Sequence, residues 1–477
     1  MNTNEFQHNV SLPFKSLRPY VNLRPSQGHW HKIHKSLEHA YLVLASFERW
    51  AHRAPKKPYL YSSASTVRLC SLPCEVCALS IFRNQKALVE LALILGVFSL
   101  CTGEFAVMGL LSNLSAAFAR PETTVAHLIS AYALGVVIGA PIMVFVGVYL
   151  KKRNLILFLL GIYTVSNALS LLAPNYETLL LSRLIAGFPH AAYFGVAATI
   201  AASMAPFNKR GKAVSRILLG VTAAILFGAP GATYLGQALG WRWVFGSITV
   251  LSVLSLILLY RHAPNVENEA RMDFKAEIAS FKSTQVWLAL AIGAIGFSGM
   301  FGVYSYLAPT VLHVTGLGEN WIAPMLAVFG IGTMIGNLAG GWLYDKYKFL
   351  AVNQVMIFSV VALFAFPLLS RSMTGITFGA LMLGCMVALT PALQMRLMDV
   401  SKHGQSLVAA SNHAALNFAN ALGPWICGLA INAGWGWTST GYVGAAMALA
   451  GCLVYGVARI LEKRSTEAGK YPEDRES

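Results

Sequence analysis

Few residue types in this chain could carry chemistry, because charged side chains are rare in its apolar parts. Glu104 is one of them. It lies in CTGEFAVMGLL, near the end of an apolar run that begins at about Ala87. An uncompensated charge in hydrocarbon costs at least ~2.5 to 3.5 kcal/mol, so an ionisable group there indicates a functional site, such as one that takes up and releases a proton.

Arg183 is the candidate partner of this carboxylate. It lies about six residues into the fourth apolar run, and Glu104 lies about six residues before the end of the first. At a rise of about 1.5 Å per residue, both side chains are expected within roughly 10 Å of the same membrane face, where they could pair. Two hypotheses follow. The pair is either a static contact that fixes helix packing, or a proton site in which Arg183 favours the charged carboxylate.

Other polar residues inside apolar runs are candidates for substrate contact. His190 lies one to two turns deeper than Arg183, and it could bind substrate, relay a proton or hydrogen-bond to a neighbouring helix. In the eleventh run, Asn412 and Asn420 belong to a polar stripe that is expected to face a central cavity. The residues predicted to line the substrate cavity are His190, Tyr193, Tyr304, His413 and Asn417.

The composition indicates an integral membrane protein. Of 477 residues, 56% are hydrophobic and 12% are charged, with a mean hydropathy of +0.57, so the chain lacks the polar surface of a soluble protein. The net charge of +16 does not indicate nucleic-acid binding, since the basic residues lie mostly between the apolar runs. Twelve runs approach the ~20 residues that cross a bilayer. They are 87–110, 125–149, 154–173, 177–203, 212–238, 242–260, 285–311, 321–344, 349–370, 374–397, 404–432 and 437–460.

Loop charges predict the orientation and the domain boundaries. Basic residues such as Lys151, Lys209 and Lys346 follow the second, fourth and eighth runs. Lys and Arg favour cytoplasmic loops, so both termini are expected in the cytoplasm of a cell with the protein in its plasma or inner membrane. The expected domains are a basic extension (1–86), a six-helix half (87–261), a cytoplasmic linker (262–284), a second six-helix half (285–462) and a cytoplasmic tail (463–477).

The first 86 residues differ from the rest, with twelve Lys or Arg against four Glu. They are interpreted as a poorly ordered tail or upstream sequence from a mistaken start, with a basic amphipathic helix on the membrane surface as the alternative. Cys70, Cys74 and Cys77, with nearby histidines, suggest zinc, but their spacing is poor for a structural site. We therefore predict no metal, no cofactor and no disulfide.

An internal repeat relates the two halves. Pro230 and Pro424 each precede a Gly-Trp pair by the same interval, in APGATYLGQALGW and GPWICGLAINAGW. A duplicated helix break of this kind is typical of two parallel six-helix repeats with a binding site between them, which is a plan of transporters.

These segments resemble the major facilitator superfamily, within the proton-coupled drug and sugar efflux branch that includes arabinose-efflux-permease-like proteins. TGEFAVMGLL resembles the first-span signature of this branch, and RLIAGFPHAAYFGVAA the fourth-span motif, whose arginine is linked to proton coupling and corresponds to Arg183. FGAPGATYLGQALGW resembles the fifth-span exporter motif, and GGWLYDKYK the loop motif after the eighth span. The motif residues carried over are Gly228, Pro230, Gly236, Gly341, Asp345 and Lys346.

The resemblance implies an all-α membrane protein with twelve transmembrane helices in two pseudo-symmetric halves. It also implies a monomer that exports a small organic molecule, such as a drug or sugar, in exchange for protons by alternating access. One position departs from the family pattern, because Val148 stands where the loop after the second span usually carries Asp. The alternatives are a facilitator or importer of the same fold, or a membrane receptor. The chain has no motif of a metalloprotease, a serine hydrolase or a nucleotide-binding loop, so no enzyme is expected.

Overall fold

The structure is a computed structural model that describes residues 85–266, 280–401 and 405–467. The described residues form twelve helices that are long and apolar enough to cross a membrane. Residues 1–84 of the amino-terminal extension, with the cysteines and histidines considered for zinc, lie outside the described residues, as do most of the linker, most of the tail and the side chain of Val148. The spans, labelled α1 to α12, are Gln85–Gly109, Glu122–Gly147, Lys152–Leu171, Tyr176–Ser203, Arg210–Leu239, Trp241–His262, Thr284–Ser305, Glu319–Tyr347, Phe349–Leu369, Met373–Val400, Ser411–Trp435 and Ser439–Arg464.

The helices pack as two similar halves, α1 to α6 and α7 to α12. In the first half α2 packs on α4, and α6 packs on both α1 and α3; in the second half α8 packs on α10, and α12 packs on both α7 and α9. Helices six apart in the chain thus make equivalent contacts. The halves meet chiefly where α2 lies against α11 and α5 lies against α8. This arrangement confirms the predicted twelve-helix fold with its internal repeat.

Close backbone contacts recur at equivalent places in the two halves. A Cβ added at Gly187 of α4 would overlap the carbonyl oxygen of Tyr132 in α2. A Cβ added at Gly384 of α10 would likewise overlap the carbonyl oxygen of Phe329 in α8. Small residues let helix backbones approach closely in membranes, where van der Waals packing drives helix association.

The duplicated helix break also appears in the backbone. Gly240 ends α5 with a φ of +96°, and Gly434 ends α11 with a φ of +86°, a region that favours glycine. The predicted seventh span, by contrast, is too long. Its helix stops at Ser305 because Tyr306 leaves the helical region, with φ −102° and ψ 16°, and a separate short helix, Leu307–His313, follows.

We call the end of the bundle where α1 begins and α12 ends the terminal end, and the opposite end the loop end. At the loop end the halves are joined by polar contacts. Thr123 donates to Asn432 at 2.7 Å, Ser130 donates to the carbonyl of Ala421 at 2.8 Å, and Gln237 donates to the carbonyl of Glu319 at 3.0 Å.

Ion pairs at the terminal end lie within a half instead. Arg216 of α5 contacts Glu90 of α1 at 3.0 Å in the first half. Arg396 of α10 contacts Glu462 of α12 at 2.8 Å in the second half. Each pair fastens helices of its own half to one another.

Candidate functional site

Glu104 lies between the two halves and contacts both. Its side chain is buried, with 7% of its surface exposed. Asn420 of α11 donates a hydrogen bond from Nδ2 to Oε1 of Glu104 at 2.9 Å. On the other side, Nε2 of His190 in α4 lies 3.6 Å from Oε2. The carboxyl group therefore bridges the first half to the second.

A second helix follows α1 on the loop-end side of Glu104. The chain turns at Leu110 and continues as a second helix, Leu111–Phe118, before α2 begins. This extension adds roughly 12 Å of helix beyond α1. The prediction that Glu104 lies within roughly 10 Å of a membrane face concerns the bilayer and not the end of the bundle, and it stays a prediction.

Arg183 is fully buried near Glu104, but its direct contacts are with other groups. One guanidinium nitrogen, Nη2, donates to the carbonyl oxygen of Gly103 at 2.8 Å, and the guanidinium carbon lies 4.3 Å from the centre of the Tyr132 ring. Its Nε and Nη1 have no hydrogen-bond partner among the described residues. The expected direct ion pair with Glu104 is absent from this conformation, because the ring of Tyr132 and the backbone of α1 hold the guanidinium.

His190 is held by a second side chain of α2. The hydroxyl of Tyr132 lies 2.8 Å from Nδ1 of His190, and it donates to the carbonyl oxygen of Leu100 at 3.4 Å. Tyr132 therefore contacts both the arginine, through its ring face, and the histidine, through its hydroxyl. It links two residues that lie two turns apart on α4.

A row of rings crosses from the first half to the second. The ring centre of His190 lies 5.2 Å from that of Phe194, which in turn lies 6.2 Å from that of His413, nearly parallel to it. His413 belongs to α11 and is exposed although it lies within the span and faces the first half. This exposure indicates an open space between the halves next to Glu104.

Tyr304 and Asn417, two other predicted cavity residues, occupy different surroundings. Tyr304 of α7 is fully buried and stacks on Phe329, with ring centres 3.8 Å apart, while Phe105 of α1 meets its edge. Asn417 is 8% exposed and donates to the carbonyl of His413 in its own helix.

Tyr193 is not brought to the site. Its hydroxyl lies against Gly96 of α1, within the first half. Three residues after His190, it is rotated by about 60° around the axis of α4, which turns it away from Glu104.

The motif residues separate into two groups. Gly228 and Gly236 hold α5 close to α1, because an added Cβ would overlap Thr102 and Leu110 respectively, and Pro230 lies between them. Gly341 has open space around it at the terminal end of α8. Asp345 and Lys346 are exposed on the last turns of the same helix, with Lys346 over the ring of Trp342.

One group of side chains has the donor types of a metal site. The sulfur of Cys101, a carboxylate oxygen of Glu104 and a ring nitrogen of His190 all lie within 4.8 Å of one another, and all three residues are buried. A tetrahedral zinc ion with bonds of ~2.0 to 2.3 Å needs ligands about 3.3 to 3.8 Å apart. The group could therefore accept such an ion only after it contracted.

Sequence reasoning missed Tyr132, Phe194 and Cys101 as members of the site. Cys101 and Phe194 lie near Glu104 and His190 in the chain, one helical turn away, which is the only signal that could have found them. Nothing in the sequence marked Tyr132, because no motif in α2 shows which of its residues face α4.

The fold and this site define a protein with two six-helix repeats around a polar centre, and comparison with known proteins agrees. The family model described as Major Facilitator Superfamily matches residues 93–411. The chain belongs to this superfamily. It is a multi-pass membrane transporter and not an enzyme, as the sequence motifs predicted.

Relatives within the superfamily include bacterial transport proteins. The chain is 36% identical over 371 residues to the inner membrane transport protein YdhP of Escherichia coli K12, covering 77% of this chain and 95% of that protein. It is 28% identical over 361 residues to a probable sugar efflux transporter of Helicobacter pylori, covering 74% and 91%. Among solved structures, the chain is similar to a bacterial homologue of the human lysosomal transporter Spinster in an inward-facing and occupied conformation. The TM-score is 0.63 and the sequence identity is 18%, and the match covers 78% of this chain and 96% of that one.

Proposed function

We propose that this protein exports a small organic molecule, such as a drug or a sugar, in exchange for protons. The observation that carries the proposal is Glu104, a buried carboxyl group that contacts both halves of the molecule and lies beside the buried Arg183. A group in this position changes its contacts with both halves when it gains or loses a proton. Its protonation can therefore bias the movement of one half against the other.

The contacts between the halves support alternating access. In this conformation the halves are joined at the loop end, while His413 is exposed in the space between them. A substrate enters from the terminal end and contacts the ring row of His190, Phe194 and His413. The loaded form, with Glu104 ionised, opens the other end and releases the substrate there. Protonation of Glu104 at that face then weakens its attraction to Arg183 and favours the rocking movement that returns the opening to the terminal end.

Efflux as the direction rests on two further points. The fifth-span motif, which resembles that of exporters, packs α5 closely on the helix that carries Glu104 through Gly228. A relative that shares most of its length with this chain is described as a probable sugar efflux transporter. Stacked aromatic and imidazole rings suit a substrate with both apolar and hydroxyl-bearing faces.

The orientation belongs to the same proposal. The basic loops at the terminal end support a cytoplasmic location for both chain termini. The proposal extends to a monomer in the cell membrane, with residues 262–284 as a cytoplasmic linker between the halves. Alkaline phosphatase fused after residue 477 would then be inactive, and a fluorescent protein fused there would fluoresce. An active phosphatase and a dark fluorescent protein would place the termini on the outer side, and this result would contradict export as the direction of transport.

A flux measurement tests the coupling. Purified protein is reconstituted in liposomes with an acidic interior, and uptake of radiolabelled arabinose, other sugars and a panel of drugs is followed after dilution into alkaline buffer. We expect at least one compound to accumulate against its concentration gradient. This accumulation should be lost in Glu104→Gln, while exchange of labelled for unlabelled compound continues.

If Glu104→Gln accumulates as much of the compound as the unaltered protein does, the coupling role of Glu104 is wrong. Equal flux without a pH gradient would indicate a facilitator, and binding without flux a receptor.

A further inference from the structure

Three buried side chains beside the space between the halves carry donor atoms of the kinds that bind zinc. Cys101 supplies a thiol, Glu104 a carboxyl group and His190 an imidazole, and the three ligand atoms all lie within 4.8 Å of one another. Each of the three residues is less than a tenth exposed. These donor types are the ones that borderline-soft ions such as Zn²⁺ and Co²⁺ prefer.

Two of the three ligand atoms already have the separation of a tetrahedral site. Oε2 of Glu104 lies 3.6 Å from Nε2 of His190, and the ligands of a tetrahedral zinc ion lie about 3.3 to 3.8 Å apart. Cys101 precedes Glu104 by three residues on α1, so the two side chains lie on the same face of that helix. The contraction that an ion requires is therefore an approach of the Cys101 sulfur by about 1 Å.

The ring of His190 is held in the way that metal-binding histidines are held. Its Nδ1 lies 2.8 Å from the hydroxyl of Tyr132, while Nε2 faces Glu104. In metal sites the ring nitrogen that does not bind the ion usually donates to an outer acceptor, which fixes the orientation of the ring. An ion on Nε2 would leave the ring proton on Nδ1, and the Tyr132 hydroxyl can accept a hydrogen bond from it.

A fourth ligand is available from the second half. Asn420 of α11 is 1% exposed, and its Nδ2 donates the 2.9 Å hydrogen bond to Glu104. Its Oδ1 is buried and has no hydrogen-bond partner among the described residues. A half-turn of the amide exchanges the two atoms and points the oxygen towards Glu104. An unpaired buried oxygen is costly, and a bound cation would satisfy it.

The charges of these side chains suit a divalent ion. A buried ion is costly unless its charge is matched, and the thiolate of Cys101 and the carboxylate of Glu104 together balance two positive charges. The thiol proton leaves to solvent when the ion binds. The occupied site then presents no net charge to the nearby Arg183. The exposed side chain of His413 marks the open space through which an ion can enter.

We propose that the centre of the protein binds a divalent ion of the zinc class between the two halves. The ligands are Cys101, Glu104 and His190 from the first half and Oδ1 of Asn420 from the second. Because the ligands come from both halves, the bound ion holds the halves together, and transport requires its release. Ion binding needs neither a particular exported compound nor proton coupling, so this proposal and the proposed function can fail separately.

Cobalt binding to the full chain in lipid nanodiscs tests the site, since Co²⁺ binds to ligand sets like those of zinc and has visible absorption bands. Every protein lacks a histidine tag and carries Cys70→Ser, Cys74→Ser and Cys77→Ser, so that no thiol of the extension contributes. We expect one Co²⁺ per chain, with a near-ultraviolet band from thiolate to cobalt. Zn²⁺ should remove this band, whereas a large excess of Mg²⁺ should not, because thiolate and imidazole select softer ions.

Cys101→Ser is the decisive variant, and it should lose the near-ultraviolet band. Cys427→Ser is its matched control, because Cys427 is equally buried but belongs to no such group of donors among the described residues. The spectrum of this control should be unchanged. Tyr132→Phe keeps the ring under Arg183 but removes the outer contact of His190, so we expect roughly tenfold weaker binding.

A missing thiolate band in the unaltered site, or the same band in Cys101→Ser, would overturn the proposal. If Cys101→Ser does not fold, His190→Gln replaces it, and cobalt binding of unaltered strength in that variant would overturn the proposal instead. Hydrogen–deuterium exchange tests the link between the halves. At a zinc concentration ten times the dissociation constant, exchange in residues 421–430 should be about tenfold slower. Unchanged exchange with zinc bound would show that the ion does not join the halves.

Discussion

The amide of Asn420 donates a 2.9 Å hydrogen bond to the carboxyl group of Glu104, and this contact joins the two halves of the transporter at their buried centre. The two residues are 316 positions apart in the chain. Asn420 itself is almost fully buried, so the bond has little competition from water. It provides a direct way for the state of one carboxyl group to affect how firmly the halves hold together.

Replacement of Asn420 by Ala removes the bond from α11 to α1 and is expected to loosen the hold of α11 on the first half, including its contact with α2. A net contribution of about 1 to 1.5 kcal/mol from the lost hydrogen bond corresponds to roughly five- to tenfold faster opening. Hydrogen–deuterium exchange followed by mass spectrometry should show the change in residues 127–136 and 421–430, which lie where the halves meet. Asn412→Ala is the control, because Asn412 donates to Gln394 within the second half. Equal exchange in both variants would contradict a joining role for Asn420.

Replacement of Arg183 by Lys is expected to weaken the first half even though the charge is kept. The planar guanidinium stacks on Tyr132 while it donates to Gly103, and an ammonium group cannot do both. The free energy of unfolding should fall by ~2 kcal/mol, measured as a lower melting temperature in detergent.

Arg242 offers a matched control for this substitution. Its guanidinium also lies 4.3 Å from a ring centre, that of Trp241, and donates to a carbonyl, that of Ala173, but it is exposed. Arg242→Lys should therefore lower the free energy of unfolding by less than ~1 kcal/mol. A similar loss of stability in the two variants would mean that burial of Arg183 is irrelevant to its contacts.

Replacement of Gly187 by Ala is expected to separate α4 from α2 and so disturb the site. The added methyl would overlap the carbonyl oxygen of Tyr132, which is backbone and cannot rotate away. Overpacking of this kind costs about 1 to 3 kcal/mol. Gly195→Ala on the same helix meets no atom within 4 Å and should leave the melting temperature unchanged or slightly higher. A melting temperature for Gly187→Ala equal to that of Gly195→Ala would show that the helices are not in close contact there.

The fold could be predicted from the sequence because its signal is long and repeated. Ten of the twelve apolar runs begin and end within a few residues of the described spans, since hydrocarbon thickness sets span length. The exceptions are the start of the eleventh run, whose described span begins at Ser411, and the end of the seventh run, where the sequence carries no mark of the turn at Tyr306. Hydrophobicity reports where a chain can cross a membrane, and it is silent about a backbone turn between apolar residues.

The site could be predicted only in part, because sequence gives the depth of a residue but not the direction in which it faces. Glu104, Arg183 and His190 were found, and the structure brings them together. The pairing of Glu104 with Arg183 was expected from depth alone. Tyr132 takes the guanidinium instead, and its role depends on how α2 is rotated against α4, which no motif records. The direction of Tyr193, whose hydroxyl lies against Gly96 of α1, depends in the same way on how α4 is rotated.

The ion pairs at the terminal end have a consequence for how the transporter responds to salt. Glu90 with Arg216, and Arg396 with Glu462, each lie inside one half, so both pairs stay intact when the halves part. Added salt screens charges and so weakens each half internally, but it does not favour one arrangement of the halves over the other through these pairs. Ionic strength should thus change how long the protein survives heating far more than it changes the share of molecules open at the terminal end.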